Sequence, residues 1–319
     1  MKNLITGITG QDGLFLTNYL LKENQEVYGI SRSNKHSNFF SNLQSLNKQN
    51  DVSVHIFNVD LTKQNEVYKL INDLNPDFIY NFSGPSSVYE SFLNPKKTQY
   101  EIDTIFNNLI SACKKNKQFP NFFQASSSEM FAKSDSPLSE KSEFLPDSPY
   151  AIAKYNIHRN ISELRSKYDW NINSGIMFNH ESEFRGDEYL IMKIINKVKE
   201  IKEGKNTSLT VGSLEIVRDW SYAGDFTEAI YQITNDDSSD DFVIGSGVGT
   251  KIKDLVKLVF NYFELEYENY TNVDKKLLRK NSPQSIIADP KKIYDKFEWR
   301  TETNMEQTVN KCIKFKLGI

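Results

Sequence analysis

Three glycines near the N-terminus constrain the fold of this chain more than any other feature. The apolar run Asn3–Thr6 predicts a strand and Leu14–Lys22 predicts a helix, and Gly7, Gly10 and Gly13 lie between them. Glycines at this spacing allow a tight turn, bring the backbone close to a pyrophosphate and let the helix pack on the strand. The start of such a helix also directs free N–H groups and a positive dipole end at an anion. The segment therefore predicts a dinucleotide site, with contacts from Gly7, Thr9, Gly10, Gln11, Asp12 and Gly13.

Strand and helix patterns alternate through the first half of the chain. Such alternation implies βαβ units, which build a parallel sheet with helices on both faces. The sequence therefore predicts an α/β fold with a Rossmann-type doubly wound parallel sheet. The predicted strands are Asn3–Thr6, Glu26–Ser31, Val52–Phe57, Phe78–Phe82, Asn121–Ala125 and Asn173–Met177, and the predicted helices are Leu14–Lys22, Glu66–Leu74, Tyr100–Lys115 and Tyr150–Tyr168.

The pattern loosens in the second half, where helices are separated by polar loops. Residues 1–178 are predicted to form a Rossmann domain that binds the dinucleotide, and residues 179–319 a smaller α/β lobe, with some chain exchange between the lobes. The predicted helices are Leu190–Lys202, Phe226–Thr234, Lys251–Phe260 and Met305–Phe315, and the predicted polar loops are Asn34–Asn38 and Asp236–Asp240.

Composition and charge argue against several classes of function. The net charge is −3 with both signs interspersed, so no basic stripe favours nucleic acid. Cys113 and Cys312 could pair, but one distant pair gives no disulfide framework and no metal-binding spacing, so we expect reduced thiols. No signal-peptide pattern begins the chain, and no apolar run reaches the ~20 residues that span a bilayer. We therefore predict a cytoplasmic protein that binds no metal, nucleic acid or membrane.

The ends of the next strands indicate how the dinucleotide is held. A carboxylate after the second strand would bind the ribose 2′-hydroxyl of NAD, whereas a basic residue suits the 2′-phosphate of NADP. Arg32 stands there and no carboxylate does, which favours NADP over NAD; a solvated loop arginine is the alternative. Asp60 and Leu61 are predicted to position adenine. Phe82 and Ser83 are predicted to lie beside the ribose and nicotinamide, although ordinary turn chemistry explains both pairs equally well.

Four residues are predicted to react. Tyr150 and Lys154 lie four apart at the start of a predicted helix, so they share one face. An ammonium beside a phenol lowers the pKa of the phenol and makes it a usable base, although such a pair also arises by chance. Ser127, at the end of the fifth predicted strand, can hydrogen-bond a substrate hydroxyl and relay its proton towards Tyr150. Glu129 follows, and its alternative interpretation is a first-turn helix carboxylate after a serine-rich turn.

Five segments together resemble the GDP-mannose 4,6-dehydratase family of extended short-chain dehydrogenase/reductases. The Gln11-Asp12-Gly13 ending of the glycine loop and the run from Phe178 to Ser182 are specific to that family and its near relatives. The resembling segments are Ile5–Gly13, Gln124–Glu129, Ser148–Tyr150, Phe178–Ser182 and Arg218–Trp220.

The resemblance implies roles for individual residues. Ser127 stands where threonine is usual and keeps the hydroxyl that meets the substrate, and Glu129 matches an acid/base carboxylate. Tyr150 and Lys154 match the base and its partner, and both also contact the cofactor. The remaining implied contacts are His180 and Arg185 for the cofactor, Ser86 for cofactor and substrate, and Asn179, Lys193, Arg218 and Arg279 for the nucleotide diphosphate.

The resemblance also implies a reaction and an assembly. GDP-mannose, or a related GDP-hexose or GDP-heptose, would be oxidised transiently at C4, lose water across C5 and C6, and regain hydride at C6. The alternative on the same scaffold is C4 oxidation without dehydration, as in an epimerase, a 4-dehydrogenase or a decarboxylase. A non-catalytic NADP sensor is disfavoured because the set of reacting groups is complete. Relatives pair through two helices, here those containing Tyr100 and Tyr150, which predicts a homodimer or homotetramer.

The sequence departs from the family pattern outside the redox core. Lys280-Asn281-Ser282 follows Arg279 where a proline and then a glutamate are usual. Glu183 and Phe184 precede Arg185 where a proline and a basic residue are usual. These positions lie in substrate and subunit-contact regions, so they bear on the identity of the sugar and on assembly.

Overall fold

The structure is a computed structural model that describes residues 1–32, 36–47, 53–277 and 283–319. Strands and helices alternate through the first half of the chain, as the sequence predicts. The strands are β1 (Lys2–Thr6), β2 (Glu26–Ser31), β3 (Val54–Asn58), β4 (Phe78–Asn81), β5 (Asn121–Ser127), β6 (Ile172–Met177), β7 (Asn179–Glu181), β8 (Leu209–Val211), β9 (Val217–Tyr222), β10 (Asp241–Ile244), β11 (Gly249–Lys251), β12 (Thr271–Val273) and β13 (Ser285–Ile286). The helices are α1 (Gln11–Lys22), α2 (Ser37–Leu46), α3 (Gln64–Leu74), α4 (Val88–Leu93), α5 (Pro95–Asn116), α6 (Pro149–Tyr168), α7 (Leu190–Lys202), α8 (Ala223–Asn235), α9 (Ile252–Tyr262), α10 (Lys291–Phe297) and α11 (Met305–Leu317).

Seven of these strands form one sheet in the order β10-β6-β5-β4-β1-β2-β3. The β1–β2, β1–β4, β2–β3, β4–β5 and β5–β6 pairs are all parallel. The strand order reverses direction between β1 and β4, which is the doubly wound arrangement, so the predicted α/β Rossmann-type sheet is confirmed. β4 and β6 are buried at every residue, because helices cover both faces of such a sheet.

Apolar side chains fix α5 and α6 to this sheet. Phe106 of α5 and Ile161 of α6 belong to one buried cluster with Leu4 of β1 and Ile79 of β4. Burying a side chain of this size contributes roughly 1.5–3 kcal/mol to folding. The position of α6, the helix that begins next to Tyr150, therefore follows from the apolar face it turns to the strands.

The predicted elements agree with the structure except at some of their ends: Lys251, the first residue of a predicted helix, belongs to β11, and α5 begins at Pro95 and not at Tyr100. Asp236–Asp240 is the loop between α8 and β10, as predicted. The interpretation of Asn34–Asn38 as a loop is wrong at its C-terminal end, because α2 begins at Ser37. Serine and asparagine favour caps and turns over helix interiors, so local propensity misses this helix. Phe39 and Leu43 bury its inner face, and tertiary packing stabilises it.

Parts of three predictions fall outside the described residues. Asn34 belongs to the predicted loop, Val52 begins the predicted third strand, and Arg279 is one of the implied diphosphate contacts. The described part of the third strand, β3, runs from Val54 to Asn58.

The chain divides into two compact units. The first comprises residues 1–132, 142–177 and 227–242, and the second comprises residues 133–141, 178–226 and 243–319. In the second unit, β9 lies between antiparallel β11 and parallel β13 and also pairs with β7. Helices α7, α9 and α11 contribute Ile194, Val259 and Ile313 to a separate apolar cluster. The predicted assignment of cofactor and nucleotide sugar to separate domains stays a prediction.

The described ranges contain neither a helix that could span a membrane nor a cluster of metal-binding side chains. Within them, no helix has both the length and the apolar character needed to cross a bilayer. In the same ranges, no group of three or more His, Cys, Asp or Glu side chains is arranged to hold a metal ion. Cys113 and Cys312 are both free and buried, and burial raises the pKa of the Cys113 thiol to about 12.

A polar network holds the middle of α6 against the edge of the sheet. His158 Nε2 lies 3.5 Å from Asp241 Oδ2, and His158 Nδ1 lies 3.3 Å from Ser174 Oγ. Arg165 Nη2 donates to Asp241 Oδ1 over 2.8 Å, and Arg165 Nε donates to the carbonyl oxygen of Ile172. Burial lowers the pKa of His158; Asp241 opposes this shift and Arg165 adds to it.

We predict that this network makes stability fall in mild acid. Because the folded-state pKa of His158 is lowered, the unfolded chain binds the proton more tightly, and the free energy of unfolding decreases as the pH falls below about 6.5. His158→Gln should remove that component, so urea denaturation at several pH values should give a shallower acid slope than for the wild type. His55→Gln, at an exposed position on β3, is the matched control. An unchanged slope in His158→Gln would contradict this prediction.

Candidate functional site

The glycine loop is shaped by close approaches of backbone to backbone. Gly7 has a φ of +71°, and a Cβ there would lie 3.1 Å from the carbonyl carbon of Phe82. A Cβ on Gly13 would lie 2.6 Å from the carbonyl oxygen of Gly7, so α1 packs on the loop only without a side chain. Gly10 N donates to that same oxygen over 2.9 Å and closes the turn. The loop therefore brings the end of β1 next to the end of β4, where Phe82 and Ser83 lie.

The start of α1 suits an anion. Its N-cap, Gly10, has no side chain to accept hydrogen bonds from the first turn. Thr9 and Gly10 are exposed, whereas Gln11 is buried and Asp12 is half-buried. A helix start with this exposure presents N–H groups and a positive dipole end to a phosphate. The arrangement has the features that the sequence predicts for a pyrophosphate site.

A row of buried hydrogen bonds crosses the carboxyl ends of β1, β4 and β5. Thr6 Oγ1 donates to Asn81 Oδ1 over 2.6 Å, and Asn81 Nδ2 donates to Gln124 Oε1 over 2.8 Å. Gln124 Nε2 donates to the carbonyl oxygen of Ala125 over 2.9 Å. The same carbonyl oxygen accepts from Lys154 Nζ over 2.8 Å. This buried row, Thr6 to Lys154, joins the strand before the glycine loop to the lysine of α6.

Sequence reasoning placed Asn81 beside Phe82 and Ser83 near the cofactor but did not predict the hydrogen bonds of Asn81 and Gln124. Both side chains are buried, with 2% exposure each, at the ends of strands that are otherwise apolar. A polar side chain inside a buried strand needs a hydrogen-bond partner. Amide side chains at the ends of two buried strands therefore indicate that hydrogen bonds join these strand ends.

Tyr150 and Lys154 are placed by the start of α6. Ser148 is the N-cap, its Oγ accepts from Ala151 N over 3.1 Å, and Pro149 occupies the first turn. Lys154 Nζ lies 5.8 Å from the centre of the Tyr150 ring, and both residues are buried. Burial lowers the pKa of Lys154 to about 8, and the carboxylate of Asp12 opposes this shift. The ammonium therefore remains charged at neutral pH and can stabilise a phenolate beside it.

Ser127 and Glu129 follow directly at the carboxyl end of β5. Ser127 is buried and caps a short 3-10 turn, Ser128–Met130, through its Oγ, which accepts from Glu129 N over 3.3 Å. Glu129 is half-buried in that turn. Because Lys154 binds the carbonyl of Ala125, two residues before Ser127, the lysine and this strand end are held together. The structure thus gathers the predicted serine, tyrosine and lysine at one end of β5.

Arg32, Asp60 and Leu61 occupy different environments. Arg32 is 70% exposed after β2, and its Nη1 lies 3.7 Å from Glu101 Oε1. Asp60 Oδ1 accepts from the Thr62 hydroxyl over 2.7 Å, and the hydrogen bonds from Thr62 lower the pKa of Asp60. Leu61 is buried among the core residues. Asp60 therefore stabilises a turn, which is the alternative that the sequence left open. Its predicted role in positioning adenine stays a prediction.

In the second unit, Asn179, His180 and Arg218 lie on adjacent strands. Asn179 of β7 is paired with Trp220 of β9, two residues after Arg218. His180 Nδ1 lies 2.7 Å from the carbonyl oxygen of Phe178, and because a carbonyl only accepts, this nitrogen carries the hydrogen. The His180 ring is 4.7 Å from that of Phe226, so the imidazole orientation is fixed on two sides.

The loop between β7 and α7 holds Arg185. Arg185 Nε lies 3.8 Å from Oε2 of the buried Glu181, and its guanidinium carbon lies 3.5 Å from the centre of the Tyr189 ring. Stacking on an aromatic ring and pairing with a carboxylate together restrict a guanidinium to one orientation.

The two unusual residues before Arg185 make contacts within their own unit. The Tyr222 hydroxyl donates to Glu183 Oε1 over 3.1 Å, and burial, with Glu183 adding to it, raises the pKa of Tyr222. The Phe184 ring packs edge-on against Phe315 of α11 at 5.4 Å. A carboxylate and a phenyl ring therefore hold the loop to its own unit at positions where the family usually has a proline and a basic residue.

Comparison with known proteins gives the same family as the motifs. The family profile described as GDP-mannose 4,6 dehydratase matches residues 4–312. The chain is 32% identical over 321 residues to "GDP-mannose 4,6 dehydratase 2" of Arabidopsis thaliana, with 97% of this chain and 85% of the relative covered. The chain belongs to the GDP-mannose 4,6-dehydratase family. The predicted resemblance is confirmed.

Solved structures of lower sequence similarity share the fold of this GDP-mannose 4,6-dehydratase family member. The UDP-glucose 4-epimerase of Thermus thermophilus, in complex with NAD, has a TM-score of 0.85 at 18% identity, with 100% of both chains covered. RMD from Pseudomonas aeruginosa, complexed with NADPH, has a TM-score of 0.81 at 19% identity, with 100% of this chain and 99% of that chain covered. At such identities the likeness shows the fold alone.

The predicted site residues of this dehydratase-family chain divide between the two units. Those gathered in the first unit are the glycine loop, Phe82, Ser83, Ser127, Tyr150 and Lys154, while Ser86 is exposed in the loop after β4. Those on neighbouring strands of the second unit are Asn179, His180 and Arg218. Lys193 is exposed in the first turn of α7. Arg279 lies outside the described residues.

Proposed function

We propose that this protein is an NADP-dependent dehydratase that converts GDP-mannose to its 4-keto-6-deoxy derivative. The observation that carries this proposal is Lys154, held at the end of β5 beside Tyr150 and Ser127, with Glu129 two residues further on. Membership of the GDP-mannose 4,6-dehydratase family supports both the substrate and the loss of water.

The first unit supports dinucleotide binding by its shape. Gly7 and Gly13 leave no room for a Cβ, which is what close approach of a pyrophosphate and close packing of the helix require. The residues proposed to hold the cofactor there are Gly7, Thr9, Gly10, Gln11, Asp12, Gly13, Arg32, Asp60, Leu61, Phe82, Ser83, Ser86, Tyr150 and Lys154. NADP+, when bound, accepts a hydride from the sugar and later returns it.

Tyr150 begins the reaction as a base in this proposal. Its phenolate removes the proton from the sugar O4 through the Ser127 hydroxyl while the C4 hydride leaves, and C4 becomes a ketone. Lys154 stabilises the phenolate because a nearby ammonium favours the charged form of a phenol. Ser127, buried at the end of β5, keeps a hydroxyl next to the reacting oxygen.

Glu129 then performs the elimination. The C4 ketone acidifies the C5 hydrogen, which the Glu129 carboxylate removes. The same carboxyl group gives this proton to the C6 hydroxyl, which departs as water and leaves a C5–C6 double bond. Return of the hydride to C6 and transfer of the Tyr150 proton to C5 would complete the reaction, so that the sugar loses one water and Tyr150 becomes a phenolate again.

The second unit is proposed to bind the nucleotide sugar, with Asn179, Lys193, Arg218 and Arg279 at the diphosphate. A guanidinium binds a diphosphate through paired donors, which favours arginine at such positions. His180 and Arg185 are proposed to contact the cofactor, and the fixed orientation of both side chains supports a contact that needs defined geometry.

C4 oxidation without dehydration is the second candidate on the same scaffold. It uses Tyr150, Lys154 and Ser127 in the same way. A serine–glutamate pair also occurs in sugar-nucleotide decarboxylases, so it is Glu129 together with membership of the family that favours dehydration over epimerisation, 4-dehydrogenation or decarboxylation.

NADP is proposed over NAD because of the charge at the end of β2. Arg32 stands there, its side chain is 70% exposed, and its 3.7 Å pair with Glu101 is long, so a 2′-phosphate can compete for the guanidinium. The two buried thiols suit a reducing compartment such as the cytoplasm.

Glu129→Gln tests the proposed function. The variant should still bind GDP-mannose and oxidise C4, because the reacting groups at Tyr150 are intact, but water loss should fall by at least about 10²-fold without the acid/base group. Mass spectrometry of the sugar nucleotide measures the loss of one water, and nicotinamide absorbance measures hydride transfer. Glu143→Gln, at an exposed position, should behave as wild type. Full dehydration by Glu129→Gln would refute the assigned role, and a wild type that oxidises C4 without losing water would favour the second candidate.

Arg32→Ala tests the choice of cofactor. Loss of the guanidinium should raise the Kd for NADP+ about tenfold or more, since hydrogen bonds to charged groups contribute about 1.5–3 kcal/mol, and leave the Kd for NAD+ unchanged. Titration calorimetry with both dinucleotides measures this. Arg159→Ala, at an exposed position on α6, is the matched control. Wild-type protein that binds both dinucleotides equally well would contradict the preference for NADP.

A homodimer or homotetramer is proposed from apolar side chains on α4 and α5. Phe92, Leu93 and Tyr100 are 49%, 58% and 61% exposed. Large apolar side chains that stay exposed on neighbouring helices can be buried by a second copy of the chain. Light scattering should give twice or four times the chain mass, and Tyr100→Glu should shift the population towards monomer. Phe40→Glu, also exposed but on α2, should leave the mass unchanged; a monomeric wild type would refute the assembly.

A further inference from the structure

Asp219 is a buried carboxylate to which the proposed reaction assigns no role. It lies on β9 with no exposed surface. Its Oδ1 accepts from Ser246 N over 3.0 Å and from Ser246 Oγ over 2.6 Å. Its Oδ2 accepts from Gly247 N over 2.8 Å and from Ala288 N over 3.2 Å. One side chain thus joins three separate stretches of the second unit.

The loop after β10 is shaped to fit this carboxylate. A Cβ on Gly245 would lie 2.6 Å from Ala288 Cβ and 3.2 Å from Asp219 Oδ2, so no side chain fits there. Gly247 has a φ of +74°, a conformation that glycine adopts readily, and it directs its N–H at Asp219. Two glycines and one carboxylate therefore form a single packed arrangement.

Consecutive residues of β9 hold the two ends of one neighbouring segment. Arg218 Nη1 donates to the carbonyl oxygen of Pro283 over 3.1 Å, at the beginning of the segment. Asp219 accepts from Ala288 N at its end, and the β9–β13 pairing matches Arg218 with Ile286 between them. Side chains of consecutive strand residues point to opposite faces of a sheet, so Arg218 and Asp219 bind the segment from opposite faces.

The geometry points to Asp219 as a positioning residue for Arg218. Val217 N donates to the carbonyl oxygen of Gln284 over 2.9 Å at the beginning of the segment, and Asp219 anchors its end at Ala288. Together these contacts set where the carbonyl of Pro283 stands, and this carbonyl, with that of Val217, orients the guanidinium proposed to meet the nucleotide diphosphate. The assignment rests on the proposed function, in which Arg218 binds the diphosphate of a GDP-sugar. Asp219 itself touches no substrate.

Asp219→Asn tests this assignment by binding. An amide presents one accepting oxygen and one donating nitrogen, so two of the N–H groups around it lose their acceptor while volume is kept. The Kd for GDP, measured by titration calorimetry, should rise about tenfold or more, with the Kd for NADP+ unchanged within about twofold. Arg218→Ala should weaken GDP binding similarly, and the double variant should bind no worse than Arg218→Ala alone, because both changes remove the same contact.

Asp225→Asn separates positioning from general loss of stability. Asp225 accepts from Glu302 N, Thr303 N and Thr303 Oγ1 elsewhere in the same unit, so its variant should lower the melting temperature and keep wild-type affinity for GDP. If Asp219→Asn does not accumulate folded, Ser246→Ala, which removes the 2.6 Å contact with Asp219 together with the contacts of the hydroxyl with Val248, should raise the Kd for GDP about threefold.

Each outcome bears on a different statement. Wild-type affinity for GDP in Asp219→Asn, or strictly additive effects of Asp219→Asn and Arg218→Ala, would overturn the positioning role. Equal weakening of GDP and NADP+ binding would overturn it as well, because it would indicate general damage. A wild-type protein that binds NADP+ but no GDP would instead refute the proposed function on which the role rests.

Discussion

The buried hydrogen-bond row from Thr6 to Lys154 is the interaction on which the first unit depends. Each member is almost inaccessible to water, and a buried polar group left without a partner costs about 1–3 kcal/mol. Sliding β1 relative to β4 would break the Thr6–Asn81 contact, and sliding β4 relative to β5 would break the Asn81–Gln124 contact. The row therefore fixes the register of the three strands at their carboxyl ends, where the glycine loop, Ser127 and Lys154 all lie.

Hydrogen bonds to a buried group also fix backbone positions in the second unit, where the acceptor is the carboxylate of Asp219. Asp219 satisfies donors from the loop after β10 and from Ala288 and joins both to β9, much as the carbonyl of Ala125 holds Lys154. In both arrangements the central side chain is buried, and the partners lie at strand ends or in a glycine-containing loop. In both units, side chains proposed to bind ligands are therefore positioned by buried polar groups, such as Gln124 and Asp219, to which no ligand contact is assigned.

Sequence reasoning recovered most of the fold and the core of the site, for identifiable reasons. Strand and helix periodicity depends on neighbouring residues, so α7 was predicted with its observed bounds. The Tyr150–Lys154 spacing follows from helical geometry alone. Sequence reasoning missed α2, because Phe39 and Leu43 stabilise this helix by packing although its local helix propensity is poor. It also did not predict the hydrogen bonds of Asn81, because the partners of this side chain are distant in sequence.

The sequence by itself determined the Rossmann-type sheet, the glycine loop and the residue types available for acid/base chemistry, because these depend on periodicity and on steric rules of short segments. Only the tertiary structure decided that Lys154 is bound to the carbonyl of Ala125, that burial lowers the pKa of Lys154 to about 8, and that Glu183 and Phe184 turn inward to Tyr222 and Phe315. Desolvation and contacts between distant segments arise from packing, and no local pattern encodes the distance between two side chains that lie far apart along the chain.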